Sequence, residues 1–221
     1  MKRRSIDYAQ RRHHLVDITL RKRGICDPRV LAAMRSAPRE EFVSTELHDV
    51  IYDDCAQSIG SGQTISQPFT VAFMVQAAQL SESDTILEIG TGSGYGAAVL
   101  SQLGATVHSI ERLPELAELA SQRLQAFGYA NVQVHVGDGS LGLADYAPFD
   151  AIVVTAGAAA LPVAYREQLR EGGRIIIPIG KTPTRQQLVR YTRRQGKLQF
   201  EDLGAFAFVP LVGRNGWSPD A

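Results

Sequence analysis

Three acidic residues stand where strand-like runs end, and the first of them opens a glycine loop. The run Leu87-Glu88-Ile89-Gly90-Thr91-Gly92-Ser93-Gly94-Tyr95-Gly96 follows an apolar strand signal and leads into a helix signal. Alternating glycines let the backbone turn sharply and approach a ligand with no Cβ in the way. The first turn of the helix then offers free N–H groups. Glu111 closes the next strand, where a carboxylate can accept from both hydroxyls of a ribose. Asp138, in Gly137-Asp138-Gly139-Ser140, closes the one after, where a carboxylate can accept from the exocyclic amine of adenine. Together these residues predict a nucleoside site without naming the nucleoside. Gly92-x-Gly94 with Ala97 also satisfies a loose dinucleotide pattern. Asp138 equally fits a plain turn, and Glu88 fits a charge partner for a helix terminus.

Other chemistries find little support. There is no Ser/His/Asp constellation and no His/Cys cluster at metal-ligand spacing, so no metal is expected. His13, His14, His48, His108 and His135 are scattered and read as structural or exposed.

The elements that must hold these residues follow from periodicity. An amphipathic helix is predicted over 5–23, with Ile6, Ala9, Val16 and Leu20 on one stripe and Gly24 as its stop. Its basic residues, Arg11, Arg12, Arg21, Lys22 and Arg23, read as a solvated face, with a nucleic-acid patch as the alternative. Asp27-Pro28 opens a second helix that ends before Pro38, and Pro68 opens a third that runs to Leu80. From residue 84 strands and helices alternate. Strands are predicted at Thr85–Ile89, Ala105–Ile110, Val132–Val136, Ala151–Thr155 and Gly173–Ile179. Helices are predicted near 94–103, from Pro114, and over Pro162–Leu169. Leu188–Thr192 and Phe206–Leu211 read as late strands. The expected fold is α/β: a doubly wound, mostly parallel sheet with helices on both faces, an antiparallel C-terminal edge and an N-terminal helical appendage. The chain is expected to divide into a helical and substrate-loop region at 1–80, a nucleoside-binding domain at 81–213 and a tail at 214–221, with 213–221 loose.

Composition narrows the classes further. The 221 residues suit one large domain. Lys+Arg and Asp+Glu both count 23, and this balance argues against a bulk nucleic-acid binder. No apolar run approaches the ~18 residues of a membrane span, and Lys2-Arg3-Arg4 is followed by no apolar stretch of a secretory signal. Cys26 and Cys55 read as small buried residues, and an unbridged chain of this size fits a reducing compartment. A cytoplasmic monomer, with no membrane and no nucleic-acid partner, is the expectation.

One family matches several separate segments in order. Gly62-Gln63-Thr64-Ile65-Ser66-Gln67-Pro68 resembles the region preceding the cofactor domain of protein-L-isoaspartate O-methyltransferases, within the class I S-adenosylmethionine-dependent superfamily. Pro38–Val43, Glu88–Tyr95, Gly137-Asp138-Gly139, Pro148–Ile152, Thr155-Ala156-Gly157 and Phe208–Val212 also follow that pattern, so the resemblance spans about 25–213. Two positions depart from it: Gly96, where a larger residue is more usual, and Ala158-Ala159-Ala160. The resemblance implies S-adenosylmethionine as cofactor, held by Ile59, Glu88, Gly90, Thr91, Gly92, Ser93, Gly94, Glu111, Asp138, Gly139 and Thr155. It implies isoaspartyl proteins and peptides as partners, bound at Gln63, Thr64, Ile65, Ser66 and Val212, with Ser66 associated with catalysis.

A solvated carboxylic acid, with a pKa of about 4, is already ionised at neutral pH, so such an acceptor needs no general base. Ser66 would then orient the acceptor carboxylate rather than attack it. Three other readings stay open: a methyltransferase acting on RNA or a small molecule, a dinucleotide oxidoreductase, and a binding module that keeps the pocket without the activity.

Overall fold

A computed structural model describes residues 7–182 and 185–218. The first helix, α1 (Tyr8–His14), is capped by Asp7, whose carboxylate accepts from Gln10 N at 2.9 Å. It widens into a π-helical segment at Leu15–Leu20 and ends at Gly24, whose φ of +93° is left-handed. The expected helix over 5–23 therefore stands from Tyr8, and its first residues, 5 and 6, lie outside the described residues. Two of its arginines are engaged by the protein itself. Arg11 donates to the carbonyls of His48 and Asp49, and Arg12 to Tyr52 Oη and Glu40 Oε1. They tie α1 to the 40–52 segment, which corrects the expectation of a wholly solvated face.

Helix α2 (Pro28–Ser36) follows its Asp-Pro signal: Asp27 Oδ1 accepts from Arg29 N and Val30 N. The strands β1 (Gln57–Gly60) and β2 (Gln63–Ile65) make a hairpin whose turn, Gly60-Ser61-Gly62, has positive φ throughout. Strands of four and three residues are too short for a periodic signal, so the sequence shows only a Gly- and Ser-rich stretch. Helix α3 (Pro68–Ala78) starts at its proline and stops at Gln79, which takes the left-handed conformation at φ +50°.

The main sheet comprises β3 (Thr85–Ile89), β4 (Thr106–Glu111), β5 (Val132–Val136), β6 (Phe149–Val154), β7 (Leu169–Thr182), β8 (Arg185–Arg194) and β9 (Lys197–Phe206), in the order β5-β4-β3-β6-β7-β8-β9. The pairs from β5 to β7 are parallel, and β7-β8-β9 are antiparallel. Helices α4 (Tyr95–Leu100), α5 (Pro114–Ala126) and α6 (Val163–Gln168) connect the parallel strands. Both faces are buried, and the strands show it by alternation. Ile86, Val107, Ala151, Val153 and Ile176 join one core with α2, α3 and α4, whereas Leu87, Ile89, Ile110, Ile152, Val154, Ile175 and Ile177 join a second core with α6. A one-residue slip of any of these strands would exchange the two sets. With each large apolar side chain contributing about 1.5–3 kcal/mol on burial, the register is strongly specified. The fold class is as expected: a mostly parallel sheet with an antiparallel edge and helices on both faces.

The C-terminal part differs from the sequence reading. The last strand is Lys197–Phe206, not Phe206–Leu211. It is an edge strand with mostly exposed or half-exposed side chains, so its alternation is masked by polar residues. Its one local signal is the two-residue turn Gln195-Gly196, both at positive φ. Residues 207–212 make only isolated bridges, Gly157↔Pro210 and Val212↔Trp217, and Pro210 has no N–H to extend a ladder. The expected loose tail is also corrected for residues 213–218. Trp217 donates from Nε1 to Gly157 O at 2.9 Å and from N to Leu211 O at 2.7 Å. Residues 219–221 of that tail lie outside the described residues. Cys26 and Cys55 are free and exposed, not buried, because both sit in irregular segments outside the core faces.

Candidate active site

The strand order reverses between β3 and β6, and β3 therefore has its two parallel neighbours' crossovers on opposite sides. Such a switch point leaves a crevice beyond the strand ends. The glycine loop after β3 and Thr155 after β6 meet there. Thr155 donates from Oγ1 to the carbonyls of Ile89 and Gly90, 2.9 Å each, and from N to Ile89 O at 2.9 Å. Gly90 has φ +95°, and a Cβ there would strike Thr155 Oγ1. Gly90→Ala is therefore expected to lower the melting temperature by about 4 °C or more. Left-handed backbone alone costs a non-glycine residue about 1–2 kcal/mol, at roughly 2–4 °C per kcal/mol for a chain of this size. An unchanged thermal unfolding curve would contradict this account of the loop.

Glu111 shapes the opposite side of the loop. Its Oε2 accepts from Gly92 N at 2.9 Å and its Oε1 from Leu113 N at 3.0 Å. One carboxylate thus joins the end of β4 to the glycine loop and to the start of α5, and it also lines the cavity.

Glu88 is buried, at 1% exposure. Ser109 donates to its Oε2 at 2.6 Å, and the Thr91 hydroxyl lies 2.6 Å from Ser109 Oγ, so Ser109 donates to Glu88 and accepts from Thr91. Burial pushes the Glu88 carboxyl up to about 8; the negative charge of Glu111 adds to the rise and the Ser109 hydrogen bond opposes it. A Cβ at Gly96 would run into Glu88 Oε1. The bare Cα of Gly96 thus leaves room for this carboxyl.

The cavity brings together residues from both halves of the chain. It is lined by Gln63, Thr64, Ile65 and Ser66, by Glu88, Gly90, Thr91, Gly92 and Ser93, and by Glu111, Gly139, Thr155 and Val212. Ser66 sits between β2 and α3. Its carbonyl accepts from Arg39 Nη2 at 2.8 Å, and its hydroxyl takes no partner among the described residues. Three predicted residues do not line the cavity. Ile59 lies behind it, with Cδ1 placed 3.5 Å from where a Cβ on Gly92 would stand. Gly94 begins α4, and its bare Cα faces Ala120 of α5. Asp138 holds a turn: Oδ1 accepts from Ser140 N and Oγ, and Oδ2 from Arg214 N. Its carboxyl is held below the usual range by these hydrogen bonds, against a desolvation that acts the other way.

Other lining residues went unpredicted as site residues: Val71, Tyr95, Gly96, Arg112 and the segment Phe208–Leu211. That segment reaches the cavity because Gly157 N donates to Val209 O and Leu211 N donates to Gly157 O. The sequence offered a signal for Arg112, which directly follows a strand-end acid. His108 and His135 are not scattered as expected, since their ring nitrogens are 3.2 Å apart beside Tyr146. Burial lowers both pKa values, and they lie outside the cavity lining. Among the described residues no group of three or more His, Cys, Asp or Glu could hold a metal, and no helix is long and apolar enough to cross a membrane.

Comparisons with known proteins agree on one family. Residues 10–216 match the family described as Protein-L-isoaspartate(D-aspartate) O-methyltransferase. A protein-L-isoaspartate O-methyltransferase of Protochlamydia amoebophila is 53% identical over 204 residues, which is 92% of this chain and 97% of the relative. A solved protein-L-isoaspartate O-methyltransferase superposes with a TM-score of 0.83 at 30% identity, covering 93% of this chain and 67% of that one. A beta-aspartate methyltransferase of Plasmodium falciparum, solved in complex with S-adenosyl-L-homocysteine, shares the fold with a TM-score of 0.80 at 24% identity, over 91% of this chain and 98% of that one. With its fold, its matched residues and its relatives in accord, the chain belongs to the protein-L-isoaspartate(D-aspartate) O-methyltransferase family.

Proposed function

We propose that this cavity is where the chain carries out its family's reaction, transfer of a methyl group from S-adenosylmethionine to the carboxylate of an isoaspartyl residue in proteins and peptides. One observation carries the reading. Ser66, with Gln63–Ile65, lines the same cavity as the glycine loop and the carboxyls of Glu88 and Glu111. The residues fit the cofactor. Gly90 and Gly92 line the cavity without side chains to obstruct a ligand, and Glu111 offers a carboxylate suited to ribose hydroxyls. Glu88 offers a buried acid suited to a cationic group. The cofactor supplies a methyl on a sulfonium sulfur, which leaves as a neutral thioether.

What the chain contributes is alignment. The acceptor is an anion at neutral pH and needs no base. Holding it in line can be worth roughly 7–11 kcal/mol. The Ser66 hydroxyl, unengaged among the described residues, is the group that orients it. The region 1–80 would supply the acceptor side and 81–213 the cofactor side. With two free, exposed thiols suited to a reducing compartment, we take it to act in the cytoplasm, and as a monomer.

The test is methyl transfer from labelled cofactor to an isoaspartyl peptide, with release of the label by mild base as expected for an ester. Ser66→Ala is expected to lower kcat by about tenfold to a hundredfold, the worth of one hydrogen bond to a charged group. Its affinity for S-adenosylhomocysteine should be unchanged. A base-stable product, or a Ser66→Ala variant that loses cofactor affinity instead, would reject the assignment.

A further inference from the structure

Arg39 is fully buried, at 0% exposure, and is the bulkiest side chain so withdrawn. Its Nε donates to Ile51 O at 3.0 Å and its Nη2 to Ser66 O at 2.8 Å. The guanidinium carbon lies 4.9 Å from the centroid of the Tyr95 ring. Nη1 is buried with no hydrogen-bond partner among the described residues. No carboxylate pairs with this cation among them either. Glu40 is taken by Arg12, at 3.0 Å, and by the Tyr52 hydroxyl, while Asp54 is taken by Arg23.

Such an arrangement is unusual. Buried charges are costly unless paired, and an arginine does not escape the cost by losing its proton at neutral pH. Two residues that Arg39 touches, Ser66 and Tyr95, are walls of the cavity. The guanidinium therefore stands directly behind the surface that receives the acceptor.

We propose that Arg39 is a positioning residue whose missing counter-ion is the isoaspartyl carboxylate itself, a proposal that rests on the reading of Ser66 as the acceptor-side residue. Methyl transfer turns that anion into a neutral ester. The attraction is therefore present for the substrate and absent for the product, so Arg39 favours acceptor capture and ester release. An attraction that is strongest for the ground-state anion and fades in the transition state lowers KM and cannot raise kcat, so its loss raises KM without a matching fall in kcat. The bond from Nη2 to Ser66 O serves the same end by fixing the residue that orients the acceptor.

The test compares two peptides on the enzyme loaded with S-adenosylhomocysteine: one containing isoaspartate and its neutral isostere containing isoasparagine. Wild type should bind the anionic peptide at least tenfold tighter. Arg39→Met should weaken the anionic peptide by about tenfold or more, as for unit charges several ångströms apart at an effective dielectric constant of about 20. It should change the neutral peptide little, and Arg39→Lys should restore most of the preference. In turnover, Arg39→Met should raise KM for the isoaspartyl peptide by a larger factor than it lowers kcat. A purely structural arginine would weaken both peptides alike, and that result would overturn the proposal. So would equal affinity of wild type for the two peptides, a comparison that needs no variant to fold. If wild type bound neither peptide, the reading of the cavity as the acceptor site would fall as well.

Discussion

Glu88→Gln is expected to stabilise the ligand-free protein at alkaline pH and to leave it little changed near pH 4. The reason is the cost of ionising a carboxyl that has almost no solvent. In the unfolded chain Glu88 ionises near 4.5, whereas in the folded protein it does so near 8. Between these values the unfolded chain has given up a proton that the folded chain keeps. Stability therefore falls as pH rises across that window and levels off above it. Each tenfold in ionisation is about 1.4 kcal/mol, so the penalty on the ionised form is on the order of 5 kcal/mol. Glutamine reproduces the protonated acid: its amide oxygen can still accept from Ser109, and it carries no charge. The difference in melting temperature between variant and wild type should grow from near zero at pH 4 to on the order of 10 °C at pH 9. The same substitution should weaken the cofactor. A cationic group placed against Glu88 would favour the carboxylate, so wild type should release about one proton on binding S-adenosylmethionine at pH 7. Calorimetry in buffers of different ionisation enthalpy reads this directly, and Glu88→Gln should show no such release. A melting difference that stays flat from pH 4 to 9 would refute the account.

The second large effect is expected at Glu111. Its two oxygens already accept from Gly92 N and Leu113 N, so it shapes the loop before any ligand arrives. Glu111→Ala removes both bonds and, on the proposed reading of the site, the ribose acceptor with them. With hydrogen bonds to a charged group worth roughly 1.5–3 kcal/mol each, affinity for S-adenosylhomocysteine should fall about a hundredfold or more. Turnover at saturating cofactor should fall much less. Glu111→Gln keeps the size and loses the charge. Because the charge of Glu111 helps to raise the Glu88 carboxyl, this variant should make the pH-dependent loss of stability smaller and end it at a lower pH. A loss of affinity under tenfold in Glu111→Ala would mean that another group holds the ribose.

These two acids illustrate what local pattern can carry. Glu88 and Glu111 stand at or next to the ends of β3 and β4, and the glycine loop follows Glu88 directly in the chain, so their place in the cavity wall was legible. Asp138 obeyed the same rule of position yet turned its carboxylate to Ser140 and Arg214. The contact with Arg214 spans 76 residues, and no local pattern announces it. Arg39 is a sharper case. An arginine beside two glutamates reads as surface, but Ile51, Ser66 and Tyr95 close over it.

The short-range regularities of this chain were enough to specify the alternating strands and helices, the sheet with both faces covered, and the glycine-loop half of the site. They suffice because strand and helix periods record which side of each element is buried, and because a glycine's conformational freedom is a property of the residue itself. Folding in three dimensions settled the remainder. It placed Phe208–Leu211 against Gly157, brought Ser66 into one cavity with the ends of β3 and β4, buried Arg39 behind Ser66, and raised the Glu88 carboxyl. Each of these depends on desolvation and on pairing between residues far apart in the chain, quantities that exist only once the core has closed.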